Sequence, residues 1–233
     1  MQLNVGTLTA FYKTPLGRAT CGIIQHGLHP LWSGARGQRL LGYGFATPYL
    51  ETYQGDVERV IAAMPAQTGG VAWPGGKNCA VLVAEDAFAF PDAFFDKILV
   101  VHGLEGAESI RLLLRQLWRV LAPEGSLLVV APNRASLWAQ VEHSPFANGR
   151  PFRRGELDLL LREALFVPEK WERALYAPPL LGGWFLRNGA NWERLGKYLW
   201  PGMAGVHIVR ASKSLYAAAT FKPQPAGPHL VPA

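Results

Sequence analysis

Cysteine is scarce: Cys21 and Cys79 are the two in 233 residues. That is too few for a disulfide framework, and neither has neighbours at metal-ligand spacing. Acidic side chains are in deficit, 17 against 23 lysines and arginines, for a formal charge of +6. No apolar run approaches the roughly 18 residues that a membrane-spanning helix requires. The N-terminal stretch MQLNVGTLTAFYK lacks the basic region followed by an apolar one that marks a secretory leader. A cytoplasmic location is therefore expected. A His/Cys metal set, a nucleophile elbow and a Walker loop are missing too; residues 70–77 hold glycines and a lysine, but not at the required spacing. Disulfide scaffolds, membrane proteins, zinc sites, serine hydrolases of the elbow type and P-loop NTPases are thereby disfavoured.

What is present is material for a core. Hydrophobic residues make up 49% of the chain and aromatic ones 11%, which argues against disorder and for a sizeable folded domain. The positive charge gathers at the two ends. Lys13, Arg18, Arg36 and Arg39 stand alone early on, and from Ala174 onward Arg187, Arg194, Lys197, Arg210, Lys213 and Lys222 face only Glu193. Basic ends suit an anionic partner such as nucleic acid or phospholipid. No RNP-like basic-aromatic motif accompanies them, so a solvated basic surface is the simpler reading and nucleic acid is disfavoured.

Residues 5–28 read as one or two helices broken near Pro15. Short apolar runs then alternate with longer stretches: 39–41, 59–63, 79–84, 97–101 and 126–131. Runs of this length bounded by Gly, Pro or Asp suit strands buried on both faces. Residues 106–121 carry Ile110, Leu113, Leu114, Leu117, Val120 and Leu121 at helical spacing, with Arg111, Arg115 and Arg119 on another face. The alternation predicts a Rossmann-like α/β fold, a doubly wound and mostly parallel sheet. In the last third, 153–165 and 184–200 read as helices and 172–176 as a strand. Residues 205–211 and 216–221, joined by a turn at 212–214, read as an antiparallel hairpin closing the sheet. The proline-rich 223–233 reads as a loose tail.

The chemistry-bearing segment is LLGYGFATPYL, residues 40–50: a strand, a glycine turn, then a helix. Gly42 and Gly44 let the backbone turn tightly and approach a ligand, and a following helix would offer free N–H groups to an anion or carboxylate. Further along come DAFAFPDAFFD at 86–96, RVLAPEG at 119–125 and VVAPNR at 129–134. This ordered set resembles the class I S-adenosylmethionine-dependent methyltransferases, in their small-molecule branch. The resemblance is closest over 36–134 and implies a seven-stranded sheet in a single domain spanning 1–222. Residues 1–35 would form a helical cap, 36–134 the cofactor-binding core and 135–222 a lid and sheet-closing segment.

The resemblance implies S-adenosyl-L-methionine as cofactor. By position, Gly42, Tyr43 and Gly44 would approach its methionine portion, and Asp86 with Ala87 its adenine. Met64 falls where the family has its ribose carboxylate, and Val101 or His102 would line the methyl-transfer pocket. Three departures stand out: Leu40 replaces the acid before the first glycine, Ala46 the third glycine and Met64 the ribose acid.

His102 and His143 are the candidates for a general base or substrate contact, His143 in a lid with Phe146, Arg150 and Phe152. Each has a plainer reading, a satisfied core histidine for the first and a helix-bridging loop for the second. Tyr12 is a candidate cover for the cofactor. Arg150, Arg153 and Arg154 read as a solvated face with Glu156 and Asp158, and Trp184, Phe185, Trp192, Tyr198 and Trp200 as packing. Two main functions stay open, methyl transfer to a small-molecule substrate or a non-catalytic member of the fold serving a protein partner, with an enzyme for an RNA or lipid substrate a third that only the basic ends suggest. Leu40 and Met64 favour the second, the glycine turn and Asp86 the first.

Overall fold

The computed structural model describes residues 4–32, 34–141, 144–179 and 192–214. Asn4 caps the first helix, α1 (Val5–Lys13), by accepting from the Thr7 amide at 3.1 Å. Thr14 ends that helix in an extended conformation, and its hydroxyl accepts from the Gly17 amide to start α2 (Pro15–Leu28). Proline at the first helical position lacks an N–H that would be orphaned there anyway. The break expected near Pro15 is thus a two-helix joint.

Among the described residues seven strands follow: β1 (Arg39–Gly44), β2 (Arg59–Pro65), β3 (Ala80–Val83), β4 (Phe95–Val101), β5 (Leu121–Pro132), β6 (Phe166–Ala174) and β7 (Val206–Lys213). They form one sheet in the order β3-β2-β1-β4-β5-β7-β6. The first five are parallel, and β7 runs antiparallel to both β5 and β6. The sheet divides the core in two. One side packs under α1 and α2, the other under α4 (Ile110–Val120) and α5 (Arg154–Glu163). In α4 the buried residues are Leu113, Leu114, Leu117 and Val120, the stripe its spacing predicts; each contributes about 1.5–3 kcal/mol by leaving water.

Three expectations need correction. The glycine turn leads into a single helical turn, α3 (Thr47–Leu50), followed by a 3-10 turn at Glu51–Tyr53; so short a segment has little dipole with which to hold an anion. The turn expected at 212–214 is not there through Lys213: Ser212 pairs with Ser126 and Val167, and Lys213 with Phe166, so β7 runs straight through. The antiparallel strands at the C-terminal end are β6 and β7, with β6 starting six residues before the strand expected at 172. Residues 216–221 and the tail lie outside the described residues, as do residues 184–191 of the helix expected at 184–200, of which 192–199 are helical. Among the described residues no helix is long and apolar enough to cross a membrane.

Candidate active site

The strand order reverses between β1 and β4, and in open parallel sheets the crevice beyond the strand ends at such a point is where ligands bind. Gly44 turns there with φ at +83°. A Cβ at this residue would lie 2.3 Å from the Val101 carbonyl oxygen, and the next amide, that of Phe45, donates to the same oxygen at 2.7 Å. A Cβ on Gly42 would lie 2.5 Å from Leu50 Cδ1 and 2.8 Å from Ala46 Cβ. Both glycines therefore bring protein onto protein: Gly44 ties β1 to β4, and Gly42 seats α3.

Past Val101 the chain places four polar side chains in a buried line. His102 takes the left-handed conformation, φ +51°. Its Nδ1 lies 3.0 Å from Glu105 Oε1, and its Nε2 lies 2.8 Å from the Tyr12 hydroxyl. That hydroxyl lies 2.8 Å from the hydroxyl of Tyr49. The His102 and Glu105 side chains are 0% and 1% exposed, and Glu105 Oε2 has no hydrogen-bond partner among the described residues. Burial pushes the Tyr12 and Tyr49 phenols well above the ordinary range, so both keep their protons.

Aromatic rings close over the line. Tyr12 stacks on Phe45 at 5.5 Å, and Phe146 meets His102 at 4.9 Å and Trp138 at 5.7 Å. Tyr12 comes from α1 and Phe146 from the 3-10 turn Pro145–Ala147. Gly149 and Arg150 hold that loop down, the Arg150 amide donating to the Glu105 carbonyl at 2.8 Å.

The β3 side of the switch point is more exposed. Asp86 and Ala87 are exposed in the loop after β3. Arg119 and Gln116 of α4 hold this loop in place. Arg119 donates to the carbonyls of Phe88 and Phe90 at 2.6 and 2.9 Å, and Gln116 Nε2 donates to that of Asp86 at 2.8 Å. The arginine of the RVL motif is thus the anchor of the segment carrying Asp86. Met64, at the end of β2, is buried with its sulfur accepting from the Val71 amide at 3.4 Å. Tyr43 points to the opposite face and stacks on Phe88 at 5.4 Å. Beside it Glu85 accepts from the Glu108 amide at 2.9 Å, and burial pushes its carboxyl up despite that bond.

Of the residues singled out from the sequence, Gly42, Gly44, Val101 and His102 gather at the switch point with Tyr12. Met64, Asp86 and Ala87 lie at the ends of the neighbouring strands, and His143 falls outside the described residues. Glu105, Tyr49, Phe45 and Trp138 are additions from the fold. Glu105 had a signal, three residues after His102; the others are brought in by long-range packing. Of the three arginines near α5, Arg150 pairs with Glu156, Arg154 lies over the Trp171 ring and Arg153 is exposed. A cleft of about 750 Å³ lies instead at the N-terminal ends of β2 and β3, lined by Val57, Lys77, Asn78 and Phe90 among others, away from the switch point.

Residues 41–129 match the family model described as a methyltransferase domain. The match runs from β1 into β5, so this segment is similar to a methyltransferase domain. The methyltransferase fold extends beyond the matched segment. A methyltransferase structure from Thermotoga maritima, 16% identical, aligns over 90% of this chain and 96% of its own with a TM-score of 0.61. A chain from the complex of the Haloferax volcanii Trm112 methyltransferase activator with a methyltransferase, 11% identical, aligns over 90% and 95% with a TM-score of 0.63. Geranyl diphosphate C-methyltransferase from Streptomyces coelicolor, 12% identical, aligns over 82% and 78% with a TM-score of 0.57. No curated relative matches the chain in sequence. The glycine turn and Met64 lie within the matched segment, and Leu40 immediately precedes it.

Proposed function

We propose that the protein transfers the methyl group of S-adenosyl-L-methionine to a small-molecule acceptor at the β1–β4 switch point. The observation that carries this reading is the buried line Glu105–His102–Tyr12–Tyr49. A satisfied structural histidine needs no such chain of ionisable partners, and groups of this kind cluster where chemistry is done.

The residues present fit the cofactor at its two ends. Asp86 offers an exposed carboxylate to the adenine amine, and Met64 an apolar floor. At the other end Glu105 Oε2, among aromatic rings and without a partner among the described residues, suits a compact cation. When bound, the cofactor supplies an electrophilic methyl group on a sulfonium centre. The protein's part is to orient the acceptor, exclude water and take up its proton. Tyr12, Phe45 and Phe146 exclude water; His102 is the proton acceptor; Glu105 holds its ring. The missing ribose carboxylate removes a charge-assisted bond worth about 1.5–3 kcal/mol, which weakens binding by one to two orders of magnitude.

A second reading, a non-catalytic protein serving a protein partner, is favoured by one observation: Gly42, Met64 and Val101 are buried against the protein itself. Calorimetric titration with S-adenosylmethionine and S-adenosylhomocysteine separates the two. Binding in the micromolar to sub-millimolar range, lost in Asp86→Ala, supports the enzyme. No heat and no thermal stabilisation at millimolar ligand rejects it and leaves the partner reading.

A further inference from the structure

We propose that the slot filled by the Tyr12 phenol is the acceptor's own, and that the acceptor is a planar aromatic hydroxyl compound, a phenol, whose proton passes to His102 Nε2. This deepens the methyltransferase reading and rests on it for the use to which the bound phenol is put.

The hydrogen bonds set the direction of proton flow. Glu105 Oε1 faces His102 Nδ1 at 3.0 Å. A carboxylate oxygen accepts, so Nδ1 carries the ring proton and Nε2 presents its lone pair. The group meeting that lone pair at 2.8 Å is the Tyr12 hydroxyl, which must donate. Its oxygen in turn accepts from Tyr49, 2.8 Å away. A phenol is therefore already held as an acceptor should be, by one donor and one lone pair. Its ring is sandwiched against Phe45 at an interplanar angle of 26° and met edge-on by Tyr49 at 83°.

The occupant sits on a part that can withdraw. Within α1 only Leu8 and Tyr12 are buried, and the helix joins α2 through the single extended residue Thr14. With Tyr12 withdrawn, Nε2, the Tyr49 hydroxyl and the Phe45 face remain as a slot for a flat ring bearing one hydroxyl. In the step this slot performs, the O–H bond breaks, the proton goes to Nε2, the electron pair stays on the acceptor oxygen, and the positive ring rests against Glu105. An acceptor with no proton to give, such as a thioether or a tertiary amine, leaves this arrangement without a use.

The test uses 4-nitrophenol, whose phenolate is coloured, and nitrobenzene, the same plane without the hydroxyl. Removing Tyr12 frees the slot, so Tyr12→Ala is expected to bind 4-nitrophenol about ten-fold more tightly than the wild type. The bound probe is expected to be ionised at a pH about one unit below its own pKa, a shift toward the charged form by the imidazole beside it. His102→Gln in the same background is expected to weaken the binding, since Nε2 is part of the slot, and to lose the ionisation of the probe that still binds. Equal affinity for nitrobenzene, or ionisation that survives His102→Gln, overturns the proposal. The wild type provides a readout independent of that variant's folding: 15N chemical shifts of His102 are expected to show the proton on Nδ1, and a proton on Nε2 overturns it. S-adenosylhomocysteine titrated into Tyr12→Ala keeps the two ideas apart. Heat with that ligand and no binding of 4-nitrophenol overturns the phenol slot alone. Ionised 4-nitrophenol with no such heat overturns the methyltransferase reading, and with it the phenol's role as methyl acceptor.

Discussion

Gly44 and Asp86 belong to the same motif set, yet they answer to different physics. At Gly44 the left-handed backbone and the Val101 carbonyl 2.3 Å from a would-be Cβ leave no room for a side chain. Gly44→Ala is expected to cost about 4 kcal/mol or more in a urea titration, since it combines backbone strain with a clash against main chain. Asp86 is exposed, so Asp86→Ala is expected to stay within about 0.5 kcal/mol of the wild type while losing cofactor binding. A stable Gly44→Ala protein would refute the packing role given to that turn. His207, in β7, tests a third kind of residue. Burial, with Arg173 and Arg154 nearby, pushes its pKa down to about 4. Its folded value lies below its unfolded one, so the unfolded chain binds the proton first. The stability it permits is fully present above pH 6.5 and falls as pH drops from there toward 4, by about 3 kcal/mol at pH 4. His207→Leu should flatten the acid limb of a stability-against-pH curve by that amount; an unchanged limb would show that other groups set it.

Among the elements, α1 is held to the core by Leu8 and Tyr12, with Val5 and Phe11 packed beside them. Tyr12→Phe keeps the ring stacked on Phe45 but removes the hydroxyl from both Tyr49 and His102. The expected loss is about 1–3 kcal/mol, the cost of leaving buried polar groups short of a partner. It should be accompanied by faster amide exchange in α1 alone; slower or unchanged exchange would mean that Leu8 and the helix joint hold α1 without the hydroxyl. The same element shows what sequence reasoning can reach. The two helices of 5–28, the interior strands and the α4 stripe were legible because burial on both faces, or on one helical stripe, writes itself into local apolar spacing. β6 was not legible from its start: Pro168, Glu169 and Lys170 lie ahead of the strand expected at 172, but β6 is an edge strand, where proline and charge are tolerated. The Ser212–Lys213 end of β7 read as a turn because its polar side chains hide a backbone that pairs on both sides. In the site, the His102–Glu105 spacing was visible, whereas Tyr12 and His102 lie 90 residues apart and Tyr12 and Tyr49 lie 37 apart. Only tertiary packing brings them together.

The molecule as a whole is unevenly built. Its β4–β5–β7 centre is buried on both faces by α2, α4 and α5, while β3 is four residues long, pairs only with β2 among the described residues and leaves Val81 and Leu82 41% and 53% exposed. The crossovers on that side contain one helical turn and 3-10 turns in place of full helices. Local opening free energies follow buried contact density, so β4, β5 and β7 amides are expected to exchange only with global unfolding and β3 amides by local opening. Asp86 follows directly on this weak edge, and Tyr12 covers the opposite end of the crevice. A ligand spanning both would tie the least stable strand to the lid. Hydrogen exchange with saturating S-adenosylhomocysteine is therefore expected to slow residues 80–88 and α1 together and to leave β6 unchanged, because β6 lies at the far edge of the sheet. Protection confined to α1 would mean that the adenine end is unoccupied and that Asp86 plays no part. Protection spread evenly over all seven strands would mean that the ligand acts through global stability alone, by mass action on the folded state.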